Sequence, residues 1–173
     1  MRKLTHGEIV ARQEKIKKQP RIPVTVVLNN IRSLYNVGSI FRTADGAGVE
    51  KIIICGITGH PPNDRIAKTA LGAQDNVPWE YFQDIHSAIA LLKKDKYQLL
   101  LLEQTQNSIP YQTFKPKGKV GLIVGNEIEG VTESIVKDCD AAIEIEMAGL
   151  KNSLNVAVAF GVVAYHLRNT FIH

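Results

Sequence analysis

The residues of this chain that are best placed to do chemistry lie where a loop meets a long apolar segment near the C-terminus. The loop, Met147 to Asn152, contains glycine and lysine, and an apolar run of helical length follows from Leu154 to Leu167. Ser153 and Asn155 stand at the junction, and both residue types cap helix N-termini well. A helix N-terminus presents free backbone N–H groups, so such a junction can bind a ligand. The same pattern is also typical of an ordinary capped helix packed in a core.

Six short apolar segments alternate along the chain with segments of helical character, at residues 24–28, 52–55, 77–82, 98–103, 120–125 and 141–146. This alternation predicts one α/β domain with a mainly parallel, six-stranded sheet and helices on both faces. Ligands of such sheets bind beyond the carboxyl ends of the strands. Polar or glycine-containing segments follow four of the predicted strands, at Leu28, Glu103, Gly125 and Glu146. We therefore expect the functional residues at that edge.

The formal net charge of +4 is concentrated at the N-terminus. Residues 1–21 hold seven lysines and arginines against two glutamates, whereas the other 152 residues hold 14 basic and 15 acidic side chains. Thr5 and Glu8 match a capping box, so we predict a basic helical extension over 1–21, its helix ending at Lys18, ahead of a domain over 22–173. A basic segment on a nearly neutral body suits a polyanion such as RNA, although a solvated helix face explains the charge run as well. The candidate RNA-binding residues of this extension are Arg12, Lys15, Lys17 and Lys18.

The sequence lacks the motifs of several common ligand sites. No G-x-G-x-x-G follows the first predicted strand and no G-x-x-x-x-G-K-[ST] occurs, which argues against a Rossmann site or a P-loop. No G-x-S-x-G surrounds Ser153, which makes it a poor hydrolase nucleophile. Cys55 and Cys139 are far apart and have no histidine cluster nearby, so we expect reduced thiols in a cytoplasmic protein and no metal site. No apolar run reaches the ~18 residues of a membrane span, and no secretory signal follows the basic N-terminus, so we expect no membrane association.

Three stretches together carry a specific resemblance through their order and spacing. They are NVGSIFRTA at 36–44, LIVGNEIEGV at 122–131 and MAGLKNSLNVA at 147–157. They resemble the three motifs of the SpoU (TrmH-type) RNA ribose 2′-O-methyltransferases of the SPOUT superfamily. The resemblance covers about Val24 to Leu167, which is nearly the whole chain.

This resemblance implies a fold, a reaction and partners. The fold would be an α/β knot, in which the C-terminal segment threads a loop to form a trefoil knot, against the general tendency of chains to avoid knots. S-adenosylmethionine would bind bent in the knot and would donate a methyl group to a ribose 2′-hydroxyl of tRNA or rRNA. The active protein would be a homodimer, and the reaction would need no metal.

The resemblance also assigns roles to residues. Arg42 matches the family's catalytic arginine; because a guanidinium stays protonated, we expect it to bind the phosphate beside the target ribose and to stabilise the developing alkoxide. Asn36, Glu127, Ser153 and Asn155 complete the candidate catalytic set, with Glu127 anchoring either Arg42 or a backbone N–H. Arg32 and Arg42 are candidate RNA-binding residues. The implied cofactor-binding residues are Leu102, Glu103, Gly125, Asn126, Ile145, Met147, Ser153, Leu154 and Asn155.

One position departs from the family pattern, and two other functions stay open. Glu146 stands where family members commonly carry proline. Proline would stiffen the entry to the loop, whereas glutamate puts an extra charge near the cofactor site. The first alternative function is a non-catalytic, knotted RNA-binding or assembly protein, which the intact candidate catalytic set argues against. The second is a small-molecule nucleotide-binding domain, which the missing phosphate loop argues against.

Overall fold

The structure, a computed structural model, describes residues 1–17 and 19–173. In these residues the chain forms a sheet of seven strands: β1 (Ile22–Asn29), β2 (Val49–Cys55), β3 (Trp79–Phe82), β4 (Gln98–Leu102), β5 (Ile109–Pro110), β6 (Val120–Val124) and β7 (Ala141–Glu144). Across the sheet their order is β3-β2-β1-β6-β4-β7-β5, and each neighbouring pair is parallel. The predicted α/β class and parallel sheet are confirmed.

The predicted number of six strands is wrong, because the chain adds β5 at one edge of the sheet. Ile109 and Pro110 pair with Ile143 and Glu144 of β7. Two residues are too few to show an alternating or apolar pattern in the sequence. Proline is tolerated here because the edge of a sheet does not need its missing N–H.

The helices cover both faces of the sheet, as predicted. In the described part of the chain they are α1 (His6–Lys17), α2 (Leu34–Ala47), α3 (Asp64–Ala70), α4 (Ala73–Asn76), α5 (Ile85–Lys94), α6 (Glu133–Asp138) and α7 (Val156–Ile172). Consecutive residues of β1 point to opposite faces of the sheet, and each face has its own core. Val26 packs in the core with α2 and α7, and Val27 packs in the core with α5 and α6. Across residues 1–17 and 19–173, no helix has both the length and the apolar character of a membrane span.

The basic N-terminal helix begins where the sequence predicts. The Thr5 N–H donates to Glu8 Oε2 over 2.8 Å, and the Glu8 N–H donates to Thr5 Oγ1 over 3.3 Å, which completes the capping box. No residue between His6 and Lys17 is buried, so α1 contributes nothing to the core. Its predicted last residue, Lys18, lies outside the described residues.

The C-terminal helix differs from its prediction at both ends. It begins at Val156 instead of Leu154, because Asn155 is the N-cap: its Oδ1 accepts from Ala157 N at 2.9 Å and from Val158 N at 3.4 Å. Ser153 lies two residues earlier, in the loop. The helix also continues to Ile172 instead of ending at Leu167. The polar residues after Leu167 interrupt the apolar run in the sequence but do not break the helix.

Candidate functional site

The three motif stretches meet at the carboxyl edge of the sheet. Strands β1, β6, β4 and β7 are consecutive neighbours, so the loops that follow them lie side by side. The first stretch lies at the start of α2, directly after the β1 loop, the second spans the end of β6 and its loop, and the third forms the loop between β7 and α7. The fold therefore brings together segments that are far apart in sequence.

A chain of hydrogen bonds joins one residue from each stretch. Asn155 Nδ2 donates to Asn36 Oδ1 over 3.1 Å, and Asn36 Nδ2 donates to Glu127 Oε1 over 2.9 Å. The Asn36 side chain therefore uses both its oxygen and its nitrogen within the protein, which fixes the orientation of its amide. The start of α2 is in this way tied to the β6 loop and to the cap of α7.

Glu127 binds the backbone in front of α2, and its carboxylate does not contact Arg42. It accepts from the N–H of Arg32 at 3.2 Å and from the N–H of Ser33 at 3.4 Å, in addition to Asn36. Burial raises the pKa of Glu127, but the hydrogen bonds from Asn36 and from backbone N–H groups outweigh it, so the pKa lies below its usual value. Glu127 is therefore ionised at neutral pH. Of the two anchoring roles that the sequence left open, the structure has the backbone one.

A cavity of about 280 Å³ opens beside this network, between the ends of β4, β6 and β7 and the loop before α7. Every candidate cofactor-binding residue lines it except Asn155, which lies behind the loop as the cap of α7. Sequence reasoning missed other lining residues: Gln104, Val124, Ile128, Gly130, Glu144, Asn152, Val156 and Ala159. Most of them adjoin a named candidate or lie inside a motif stretch, and this adjacency was the available signal.

Gly125 is required by its own loop. A Cβ at this position would lie 2.6 Å from Val131 Cγ1 and 2.7 Å from the carbonyl carbon of Gly130, which is closer than atoms can pack. The loop is this tight because Asn126 and Gly130 exchange backbone hydrogen bonds of 3.1 and 3.0 Å. Asn126 Nδ2 also donates to Asn30 O over 2.9 Å, which ties the turn to the loop after β1.

The loop before α7 is held against the end of β4. Gln104 Nε2 donates to Asn152 O over 2.5 Å, and the Glu103 carboxylate lies under Gly130, where a side chain would meet it. Glu146 is exposed and does not line the 280 Å³ cavity; it faces a neighbouring depression with Leu150 and Lys151. Its charge is therefore placed on the outside of the loop.

The candidate RNA-binding residues lie outside the cavity. Arg42 is exposed on α2, six residues after Asn36, which corresponds to about 9 Å along the helix axis. Within residues 1–17 and 19–173, Arg42 forms no ion pair. The Arg32 side chain is exposed next to Glu127, while Arg12, Lys15 and Lys17 are exposed on α1. The structure thus leaves these cations accessible to an anionic partner but does not gather them at one point.

The two cysteines are not activated. Burial, with a smaller effect from nearby carboxylates, raises the pKa of Cys55 to about 12 and that of Cys139 to about 11. Both are therefore thiols at neutral pH, and a thiol is a poor nucleophile. Among residues 1–17 and 19–173, no three His, Cys, Asp or Glu side chains come together in an arrangement that would hold a metal ion.

A parallel sheet with a cavity at its carboxyl edge, lined mainly by loops from the C-terminal half, is the architecture of an α/β domain with room for a small ligand. Residues 23–165 match the model of the SpoU rRNA methylase family. The chain belongs to that family, which confirms the resemblance found in its three motif stretches.

Individual relatives agree with this membership. A Staphylococcus saprophyticus protein assigned to the TrmH family of tRNA/rRNA methyltransferases is 30% identical over 151 residues, which make up 87% of this chain and 60% of that protein. The chain spans about 60% of the length of the curated relatives it matches.

Two solved structures are similar over most of the chain. The crystal structure of an AdoMet-bound rRNA methyltransferase from Sinorhizobium meliloti is 28% identical with a TM-score of 0.80, over 84% of this chain and 56% of that one. A TrmH/SpoU tRNA modifying enzyme from A. aeolicus, at 24% identity and a TM-score of 0.80, covers 95% of this chain and 83% of its own. The second likeness concerns the fold alone.

Proposed function

We propose that this protein transfers a methyl group from S-adenosylmethionine to a ribose 2′-hydroxyl of tRNA or rRNA. The observation that carries the proposal is the cavity at the carboxyl edge together with the hydrogen bonds that join Asn155, Asn36 and Glu127 beside it. These side chains align the start of α2, which bears Arg42, with the mouth of a small-ligand site. Membership of the SpoU rRNA methylase family supports methyl transfer as the reaction.

The cavity fits the proposed cofactor. Its volume of about 280 Å³ is near the lower end of small-ligand pockets. Leu102, Ile145 and Leu154 offer apolar surface to an adenine ring, and the Glu103 carboxylate can accept hydrogen bonds from ribose hydroxyls. When bound, S-adenosylmethionine supplies a methyl group activated by a positively charged sulfur. We assign Gly125, Asn126, Met147 and Ser153 to the same cofactor site.

Arg42 has the chemistry to act on the RNA side. A guanidinium is a positively charged group with a rigid fork of N–H donors, so Arg42 holds the phosphate next to the target ribose and stabilises the alkoxide as the hydroxyl loses its proton. Orientation is the main requirement of an in-line transfer between two bound molecules. Asn36, Glu127 and Asn155 serve that requirement as positioning residues, because their polar atoms are spent on one another and on the backbone.

The C-terminal helix supports a homodimer. Val158, Tyr165 and Ile172 recur every seven residues along α7 and are 52%, 53% and 42% exposed. This spacing places them on one face of the helix. An apolar stripe on the last helix of the chain is the surface that a second copy would cover. We assign it to the dimer interface.

The loop over 145–155 packs against the ends of β4 and β6, and it is the segment that we propose to be threaded as a trefoil knot. The unburied, basic α1 suits a helical extension over 1–21 that contacts RNA, ahead of the catalytic domain over 22–173. We expect the enzyme to act in the cytoplasm, where its RNA substrates are.

Methyl transfer to purified RNA tests the proposed function. The protein is incubated with S-adenosylmethionine that carries an isotope-labelled methyl group and with unmodified tRNA or rRNA, and the RNA is digested to nucleosides for mass spectrometry. We expect the label in one 2′-O-methylated nucleoside. Label on a base would contradict ribose methylation, and binding of the cofactor without label in any RNA would favour a non-catalytic RNA-binding protein.

A further inference from the structure

Three aromatic side chains form a stacked group at the β3 edge of the sheet: Trp79 and Tyr81 are on β3, and His60 is in the loop after β2. The ring of His60 stacks on Trp79, with centroids 5.5 Å apart and planes 25° apart, and it lies 5.2 Å from the ring of Tyr81 at 48°. Trp79 and Tyr81 are alternate residues of β3, so their side chains project on the same side of the sheet. We call His60, Trp79 and Tyr81 the edge platform.

The edge platform is open to solvent and held in place. His60 is exposed, and Tyr81 is 42% exposed. Tyr81 Oη donates to Gly56 O over 3.0 Å, and His60 Nδ1 lies 2.8 Å from Pro61 O, which can only accept and so makes Nδ1 the donor. Rings that are already fixed lose little freedom when a ligand stacks on them, which favours binding.

The loop after β2 carries His60, and we call it the platform loop. Hydrogen bonds connect it to the loop after β1, which leads into the candidate active site. The N–H of Ile57 donates to Asn30 Oδ1 over 3.1 Å. The buried Thr58 hydroxyl accepts from Ile31 N at 2.9 Å and donates to Leu28 O at 3.2 Å. Since Glu127 accepts from the next N–H, that of Arg32, the platform loop and the Asn36–Glu127 pair brace the same segment. Three strand spacings separate β3 from β6, or about 14 Å.

The segment before α2, α2 itself and the adjoining α3 carry one exposed aromatic ring and several exposed cations. Tyr35 is 48% exposed on α2, with the exposed Arg32 just before that helix and Arg42 two turns further on. Thr69 Oγ1 donates to Tyr35 O over 3.0 Å, which brings α3 and its exposed Arg65 against the same helix. Exposed aromatic rings interleaved with cations are the surface that single-stranded nucleic acid selects, through stacking of bases and contacts to phosphates.

We propose that the edge platform stacks one unpaired base of the substrate RNA, a few nucleotides from the ribose that is methylated. This proposal rests on the proposed function, and it identifies the substrate class as RNA with an exposed, unstacked base near its target. The stacking face is the solvent side of His60, with Tyr81 beside it. Arg32 and Arg42 meet the phosphates between the two sites.

Trp79 makes the proposal directly measurable, because it is the only tryptophan of the chain. Titration of the whole protein with a short, unstructured oligoribonucleotide should quench its fluorescence as a base stacks on the platform. His60→Ala and Tyr81→Ala should each weaken RNA binding by about 5- to 150-fold, the effect of losing the stacking of one base. His60→Phe and Tyr81→Phe keep the rings but lose the hydrogen bonds to Pro61 O and Gly56 O, so they should lose much less RNA affinity than the alanine variants. His86 is an exposed histidine on α5, and His86→Ala is the matched control, which should leave RNA affinity unchanged.

The outcomes separate this proposal from the proposed function. Two results would overturn the platform assignment while methyl transfer persists. In the first, the alanine variants bind RNA within twofold of the wild type; in the second, RNA does not change Trp79 fluorescence. It is also overturned if the alanine variants change the oligomeric state instead of RNA affinity, since the platform would then be a protein contact. A different result would contradict the proposed function but support the base-stacking site. In that result the wild type transfers no methyl group, RNA still quenches Trp79 fluorescence, and the alanine variants still bind RNA more weakly.

Discussion

Asn36 and Glu127 lie 91 residues apart in the chain, and the side-chain amide of Asn36 donates to the Glu127 carboxylate over 2.9 Å. Glu127 also accepts hydrogen bonds from two backbone N–H groups, and Asn36 Oδ1 accepts one from Asn155 Nδ2. One ionised side chain thus holds the segment that leads into α2.

Glu127→Gln should lower the rate of methyl transfer more than it lowers cofactor affinity. The substitution keeps the size of the side chain but replaces one charged acceptor oxygen by an N–H₂ group that faces other donors. Hydrogen bonds to charged groups contribute about 1.5–3 kcal/mol. Because Glu127 is exposed and solvent screens part of this contribution, we expect the unfolding free energy to fall by about 1 kcal/mol. Methyl-transfer kinetics measure the loss of rate, calorimetry measures the cofactor affinity, and denaturant unfolding measures the loss of stability. Glu129→Gln, on an exposed residue of the same loop, is the control, and an equal loss of activity in both variants would contradict the positioning role.

The contribution of Glu127 to stability should disappear in acid. Its pKa in the folded protein lies below the ordinary value of 4.5, so ionisation favours folding and this stabilisation is complete above the pKa of the unfolded chain. The difference in unfolding free energy between the wild type and Glu127→Gln should be constant above about pH 5 and should narrow as the pH falls below about 4.5 towards the folded pKa. Urea titrations from pH 3 to 7 give this difference. A gap that widens in acid would show that the carboxylate is not stabilised in the fold.

Charge on the exposed stripe of α7 should dissociate the dimer. Val158→Glu places a carboxylate on a surface that the second copy would bury, where an unpaired charge is costly. The side chain is already 52% exposed in a single copy, so the fold of each protomer should survive. Light scattering at micromolar concentration should report a dimer for the wild type and a monomer for the variant. Ser87→Glu, exposed on α5, should leave the dimer intact. A wild-type monomer would contradict the assignment of this surface.

Removal of residues 1–20 should weaken RNA binding and flatten its salt dependence. The deletion takes away six lysines and arginines, and each phosphate contact adds about 0.7–0.9 to the slope of log K against log salt. Because six side chains of one short segment cannot all face a single strand, we expect the slope to fall by about 2. Cofactor affinity should not change, since α1 buries no residue and does not line the cavity. An unchanged slope with the dimer intact would exclude the RNA role, and loss of the dimer would show that α1 binds the partner subunit.

The sequence predicted those features of the fold that depend on neighbouring residues. Apolar segments of strand length located six strands, and Asn155 next to an apolar run located the start of α7 to within two residues. The predicted cofactor residues collect around one cavity because the ends of parallel strands meet at one edge, which the alternating pattern already implied. Their binding role remains a prediction.

What the sequence did not predict depends on contacts between distant residues. The two-residue strand β5 exists only because β7 is beside it, and the partners of Glu127 became visible only when the β6 loop met the segment before α2. Gly125 is a local case that the sequence pattern also does not show, since the atoms that exclude its side chain belong to Gly130 and Val131, in a loop folded back on itself. The edge platform brings a loop histidine onto a strand tyrosine 21 positions later, and no periodic pattern links them.

The central claim is that Arg42 and the cavity cooperate to methylate a ribose hydroxyl, and an alkaline hydrolysis ladder tests it most directly. The 2′-hydroxyl is the nucleophile that cleaves RNA in alkali, so a 2′-O-methylated nucleotide leaves a gap in the ladder. RNA treated with the wild-type protein and S-adenosylmethionine should show one gap, as should RNA treated with the Lys94→Ala control. Arg42→Ala should give a complete ladder while binding the cofactor with nearly unchanged affinity. A complete ladder from the wild type, or the same gap from Arg42→Ala at a comparable rate, would contradict the account.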